Sequence, residues 1–145
     1  MNGHRAAFVY RLVARHASDA STIFARRAFR WAGIYGLIVL VPQYFMERQI
    51  GIDYPPPITH PEHFYGFIGV ALAWQLVFLV IATDVIRFRP LMLPAIVEKL
   101  AFSVPVLVLY AQGRVATSVV GVGLIDLALG ATFAAAWLRT APGRG

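Results

Sequence analysis

Apolar residues gather in four long blocks along the chain, and polar residues fall mostly between them. The blocks cover residues 28–46, 63–83, 91–111 and 117–138. Each is close to the ~20 mostly apolar residues that a helix needs to cross a bilayer. The joints at 47–62, 84–90 and 112–116 are short, and short joints favour antiparallel neighbours. The pattern therefore predicts an all-α membrane protein, a bundle of four transmembrane helices running up-down-up-down. No internal repeat and no low-complexity tract interrupts it.

The ends of the chain differ from the blocks. Residues 1–27 are too charged to span. Phe8, Val9, Leu12 and Val13 can share one helical stripe, with Arg5, Arg11 and Arg15 largely around it. That spacing suits an amphipathic helix on the cytoplasmic surface; an unstructured basic tail is the alternative. The stretch "SDAS" predicts a break before the first span, with Ser18 or Asp19 as helix cap. No small-residue cleavage site follows an isolated apolar stretch, so the segment is expected to be retained. Residues 139–145 form a short tail.

Composition supports lipid as the solvent. Of 145 residues, 59% are hydrophobic and 14% charged, whereas soluble domains carry roughly 25% charged residues. The net charge is +6, and its distribution sets the orientation. Arg5, Arg11, Arg15, Arg26, Arg27 and Arg30 lie before or at the start of the first block. Arg87 and Arg89 occupy the second joint, and Arg139 and Arg144 follow the last block. The opposite side has Arg48 and Arg114. Lys and Arg favour the cytoplasmic side, so both termini are expected there, in a bacterial inner membrane. The arginines then form a collar facing the headgroups of membrane lipids. This accounts for the basic charge without a nucleic-acid partner, which would more often be met by basic and aromatic residues on a soluble face. The chain has no cysteine, which excludes disulfides and thiolate chemistry.

Gln75, Glu98, Lys99 and Asp126 are polar residues well inside the blocks. A mid-bilayer charge costs at least ~2.5 kcal/mol, so such groups face protein and find partners. At ~1.5 Å per residue, Glu98 lies roughly 10–12 Å, Gln75 about 12 Å and Asp126 about 18 Å from the cytoplasmic ends of their spans. They share one layer within about a turn. Successive helix positions point ~100° apart, so Glu98 and Lys99 are expected to aim at different neighbours. Lys99–Asp126 is the expected ion pair. Glu98 would then be neutral, or would contact Tyr35 or Arg89. Gly123, Asp126, Gly130 and Ala134 share a face of small residues suited to close helix contact. Pro105 should kink the third span and free the carbonyl of Ala101. This set reads either as a ligand-binding or proton-handling site, or as a buried pair that fixes helix pairing.

The loop "ERQIGIDYPPPITHPEHFYG" is stiffened by Pro55, Pro56 and Pro57. Thr59 or His60 can cap the second span, with Pro61 in its first turn. His60, Glu62 and His63 crowd that helix start, and with Glu47 and Asp53 they offer imidazole and carboxylate ligands to a metal. The competing reading is a capped helix start with Phe64 and Tyr65 in an interfacial aromatic belt.

The run "YGFIGVALAWQLVFLVIATDVIRFRPLMLPAIVEKLAF" resembles the centre of small four-helix bacterial membrane proteins of the DoxX-like kind. The likeness lies in a glycine-bearing second span, a brief Asp/Arg turn, "RFRPLMLP", and "EKL" within the third span. It implies a four-helix architecture and an association with membrane oxidoreductase systems, and it carries over no catalytic residue. The basic N-terminal segment and the proline loop depart from that family's compact pattern.

The sequence contains no nucleophile–base–acid set, no glycine-rich phosphate loop, and no histidine pair within the spans. It is therefore expected to be a small non-enzymatic accessory or interaction protein, with a membrane-protein partner or a second copy of itself as companion. The alternative is a binder or carrier of a small lipophilic ligand, such as a quinone or lipid. The sequence names no cofactor.

Overall fold

The computed structural model describes the backbone of residues 3–141 and the side chains of residues 19–141. Among the described residues the chain is helical, without strands. Helix α1 covers Gly3–Gln43, α2 Glu47–Asp53, α3 Pro61–Thr83, α4 Met92–Ala111 and α5 Thr117–Arg139. A 3-10 turn, Arg89–Leu91, leads directly into α4. Three helical stretches are long and apolar enough to cross a membrane: Pro61–Thr83, Arg89–Ala111 and Thr117–Arg139.

The expected break at residues 18–21 is absent, because α1 runs through it unbroken. Neither proline nor glycine stands there, and Ser and Asp lower helix propensity by only a few tenths of a kcal/mol. The apolar and arginine stripes proposed for residues 5–15 lie outside the described side chains. At its other end α1 stops at Gln43 rather than at 46. Pro42 lies in the last turn and cannot donate a backbone hydrogen bond. Tyr44, Phe45 and Met46 turn the chain by bonding back to Val41, Pro42 and Gln43. The loop that follows holds the short helix α2, which hydropathy does not announce.

Local chemistry fixes the other boundaries. Pro61 occupies the first turn of α3, where its missing N–H costs nothing. His60 holds the N-cap position without a side-chain cap, which corrects the capping role expected of His60 or Thr59. Its imidazole turns to Glu62 instead. The chain leaves α3 through Asp84, whose backbone oxygen accepts from Phe88 N and whose carboxylate accepts from Arg87 N. Helix α4 passes through Pro105 and ends at Ala111, and Gly113 just beyond its C-cap takes φ +68°. Gly113 N bonds Tyr110 O and Arg114 N bonds Leu109 O, both at 2.9 Å. That pair of bonds is the Schellman closure, and its left-handed position favours glycine.

The helices pack as α1 on α3, α1 on α5, and α4 on α5. Small residues allow the close approaches. A Cβ on Gly33 would lie 2.9 Å from Gln75 O and from the Leu79 side chain. A Cβ on Gly36 would collide with the Gln75 side chain. On the other side, Gly123 faces Val106 and Gly130 faces Lys99. In each pair, residue numbers rise along one helix as they fall along the other.

The core lies toward the arginine-rich end. Phe29, Phe78 and Phe133 are fully buried. Phe29 stacks on Phe133 at 4.1 Å, and Phe78 meets Phe133 edge-on at 5.0 Å. One ring comes from each of α1, α3 and α5. Aromatic pairs of this kind contribute about 0.5–1.5 kcal/mol beyond area burial. Two arginines close that end. Arg139 lies over Phe24 at 4.6 Å. Arg89 lies over Trp137 at 3.3 Å and donates to its backbone oxygen at 3.0 Å. Many large apolar side chains point outward, among them Trp31, Ile38, Val97 and Leu138.

Candidate functional site

The four intramembrane polar residues line one cavity of about 370 Å³. Small-molecule sites begin near this size, at about 300 Å³. Its walls come from every long helix: Tyr35 and Gly36 of α1, Gln75 of α3, Glu98 of α4 and Asp126 of α5 among them. The cavity extends from this layer toward Gln43, Tyr54 and Ser118. Those residues lie beside the loops opposite the arginine-rich end.

Lys99 is the centre of the layer and is 5% exposed. Its Nζ donates to both carboxylate oxygens of Asp126, at 3.1 and 3.2 Å. Gly130 creates the room, since a Cβ there would meet Lys99 Cβ at 3.3 Å. Gly123 likewise lets α5 approach Val106. Gly123 and Gly130 are buried while Ala134 is half-buried, and Phe133 and Ala136 take over the inward face below them. The ammonium also lies 5.4 Å from the centre of the Phe78 ring, within reach of a cation–π attraction.

Glu98 is arranged differently from the expectation. It does not pair with Arg89, which is committed to Trp137. Its Oε2 lies 3.2 Å from Lys99 Nζ, although adjacent helix positions diverge. The long Lys99 stem bends back far enough to lie between the two carboxylates. Oε2 is within ion-pairing distance, yet it is buried and receives no hydrogen bond. Attraction there is electrostatic. Gln75 lines the same cavity but stands apart from the charges. Its Nε2 donates to Ala71 O at 2.9 Å within its own helix. Ser103 returns its hydroxyl to Lys99 O in the same manner, at 2.9 Å.

The outer cluster is a separate place. His60, Glu62 and His63 each offer a ligand atom, and these atoms lie within 4.8 Å of one another. His60 Nδ1 is 3.2 Å from Glu62 Oε1, and the two imidazoles stack at 5.2 Å. Imidazole and carboxylate donors of this kind suit zinc, nickel or copper. Glu47 and Asp53 are engaged elsewhere, which corrects their expected part in this cluster. Glu47 accepts from the Tyr65 hydroxyl at 2.8 Å, and Asp53 accepts from Gln49 at 2.8 Å.

Hydropathy alone does not reveal the Phe29–Phe78–Phe133 core, the Arg89–Trp137 contact or the Gln75–Gly36 fit. The three-residue spacing of Gly33 and Gly36 was the available signal for the last. No protein-family model matches the chain, and no curated protein or solved structure is detectably similar to it.

Proposed function

We propose that this chain is an integral membrane protein of four crossings, up-down-up-down, that holds a small amphipathic molecule in its intrabundle cavity. It acts as a binding or carrier protein, an accessory of the inner membrane rather than an enzyme. The observation that carries this reading is one cavity lined by all four long helices, with a buried lysine between two carboxylates in its wall. The opposed residue order of the α1–α3 and α4–α5 contacts supports the up-down course. Outward apolar side chains on α1, such as Trp31, Ile38 and Val41, support a fourth crossing beside the three strongly apolar helices. The arginine distribution supports cytoplasmic termini, and with them a far-side position for the Gln43 and Tyr54 end of the cavity. We carry the resemblance to DoxX-like proteins forward as part of this proposal, in which the carrier works near membrane redox systems and a quinone or lipid is a fitting cargo.

The test is native mass spectrometry of the gently purified protein, with extraction and identification of retained molecules. A defined small amphipath is expected in the wild type and lost from the folded Lys99→Met/Asp126→Leu variant. A protein that retains nothing, or the same molecules in both forms, would overturn the reading and leave the ion pair a packing device.

A further inference from the structure

The charges around the cavity select among its possible occupants. Two carboxylates, Glu98 and Asp126, share one ammonium. Among the described residues lining the cavity, Lys99 is the one cation. When the three groups are ionised, one negative charge is left without a counter-charge. A buried charge with too little compensation is unfavourable, and a partner that supplies both charge and hydrogen bonds offsets that. Both Asp126 oxygens already accept from Lys99. Glu98 Oε2 shares the same ammonium at 3.2 Å as an ion pair without hydrogen-bond geometry, so Glu98 is the less fully compensated of the two carboxylates. The rest of the wall suits a cation as well. Tyr35, Tyr54, Phe67 and Phe102 line the cavity, with the Phe67 and Phe102 rings 6.2 Å apart. Aromatic faces attract organic cations, whereas an anion entering the same space would meet two carboxylates.

We propose that the cavity is selective for an amphipathic organic cation, an amine whose protonated nitrogen donates to Glu98 while its apolar body lies between the aromatic side chains. This deepens the binding reading above and rests on it. It narrows the ligand class from lipophilic molecules in general to protonated amines, and it assigns charge selection to Glu98.

Three shape-matched probes separate the two ideas: 4-phenylbutylamine, 4-phenylbutanol and 4-phenylbutyrate, titrated calorimetrically into the full chain in lipid nanodiscs, with empty nanodiscs as blank. The amine is expected to bind at least about tenfold more tightly than the alcohol, a difference of about 1.4 kcal/mol, and the carboxylate not to bind. In Glu98→Gln, which keeps the Lys99–Asp126 pair, the preference for the amine over the alcohol should disappear. Equal binding of amine and alcohol to the wild type, or tighter binding of the carboxylate, would overturn cation selection while the cavity reading stands. Failure of all three to bind would overturn both. If Glu98→Gln does not fold, the wild-type ranking of the three probes decides the proposal by itself.

Discussion

Gly36 of α1 faces the side-chain amide of Gln75 on α3 so closely that a methyl group at position 36 would overlap it. Gln75 is buried, with its Nε2 bonded to Ala71 O. An added methyl must therefore push the helices apart or break that hydrogen bond. Gly36→Ala is expected to destabilise the protein by about 1–3 kcal/mol, the usual cost of overpacking a close contact. Gly66, whose added Cβ would meet nothing within 4 Å, is the control. Gly66→Ala should stay within about 0.5 kcal/mol of the wild type. Unfolding in mixed micelles measures both.

Removing Lys99 alone strands two carboxylates. Lys99→Met is expected to cost about 3–5 kcal/mol, the range for breaking a buried pair from one side. Lys99→Met/Asp126→Leu should recover much of that loss, because replacing both partners with apolar groups leaves one fewer charge to bury. Membrane levels of the two variants, with their unfolding midpoints, check the order. A double variant no more stable than the single one would show that the pair does not act as a unit.

Arg89 contributes through its shape as well as its charge. It lies flat on Trp137 while bonding that residue's backbone oxygen. Lysine keeps the charge but cannot stack as a planar group. Arg89→Lys is therefore expected to lose about 1 kcal/mol and to shift the fluorescence of Trp137, read against a Trp137→Phe background. Arg87, over Phe88 at 5.3 Å, has the looser contact, and Arg87→Lys should change less.

Because the chain has no cysteine, single cysteines report sidedness cleanly. Arg114→Cys should react with a membrane-impermeant maleimide in intact cells, and Arg87→Cys only after the cells are opened. Labelling in the reverse order would invert the proposed orientation, and equal labelling of both positions would contradict an up-down course.

The apolar blocks and the arginine distribution were legible in the chain because bilayer insertion depends on composition averaged over about 20 residues. That average determined the three strongly apolar helices to within a residue or two of their observed limits. Gly113 marked the end of α4 for an equally local reason, its left-handed conformation. The boundary at residues 18–21 went the other way. A capping residue only permits a helix to start there, and nothing in the stretch stops one already running. The Lys99–Asp126 pairing was suggested by depth and charge balance. The position of Glu98 was not, since helix angle alone ignores the length of the lysine stem. Tertiary packing decided that Lys99 lies between both carboxylates, that Gln75 turns to its own backbone beside Gly36, and that one aromatic ring from each of α1, α3 and α5 meets in the core. These depend on which helix faces turn toward each other and how closely small residues let them approach. Side chains far apart in sequence fix that geometry jointly, and no local average contains it.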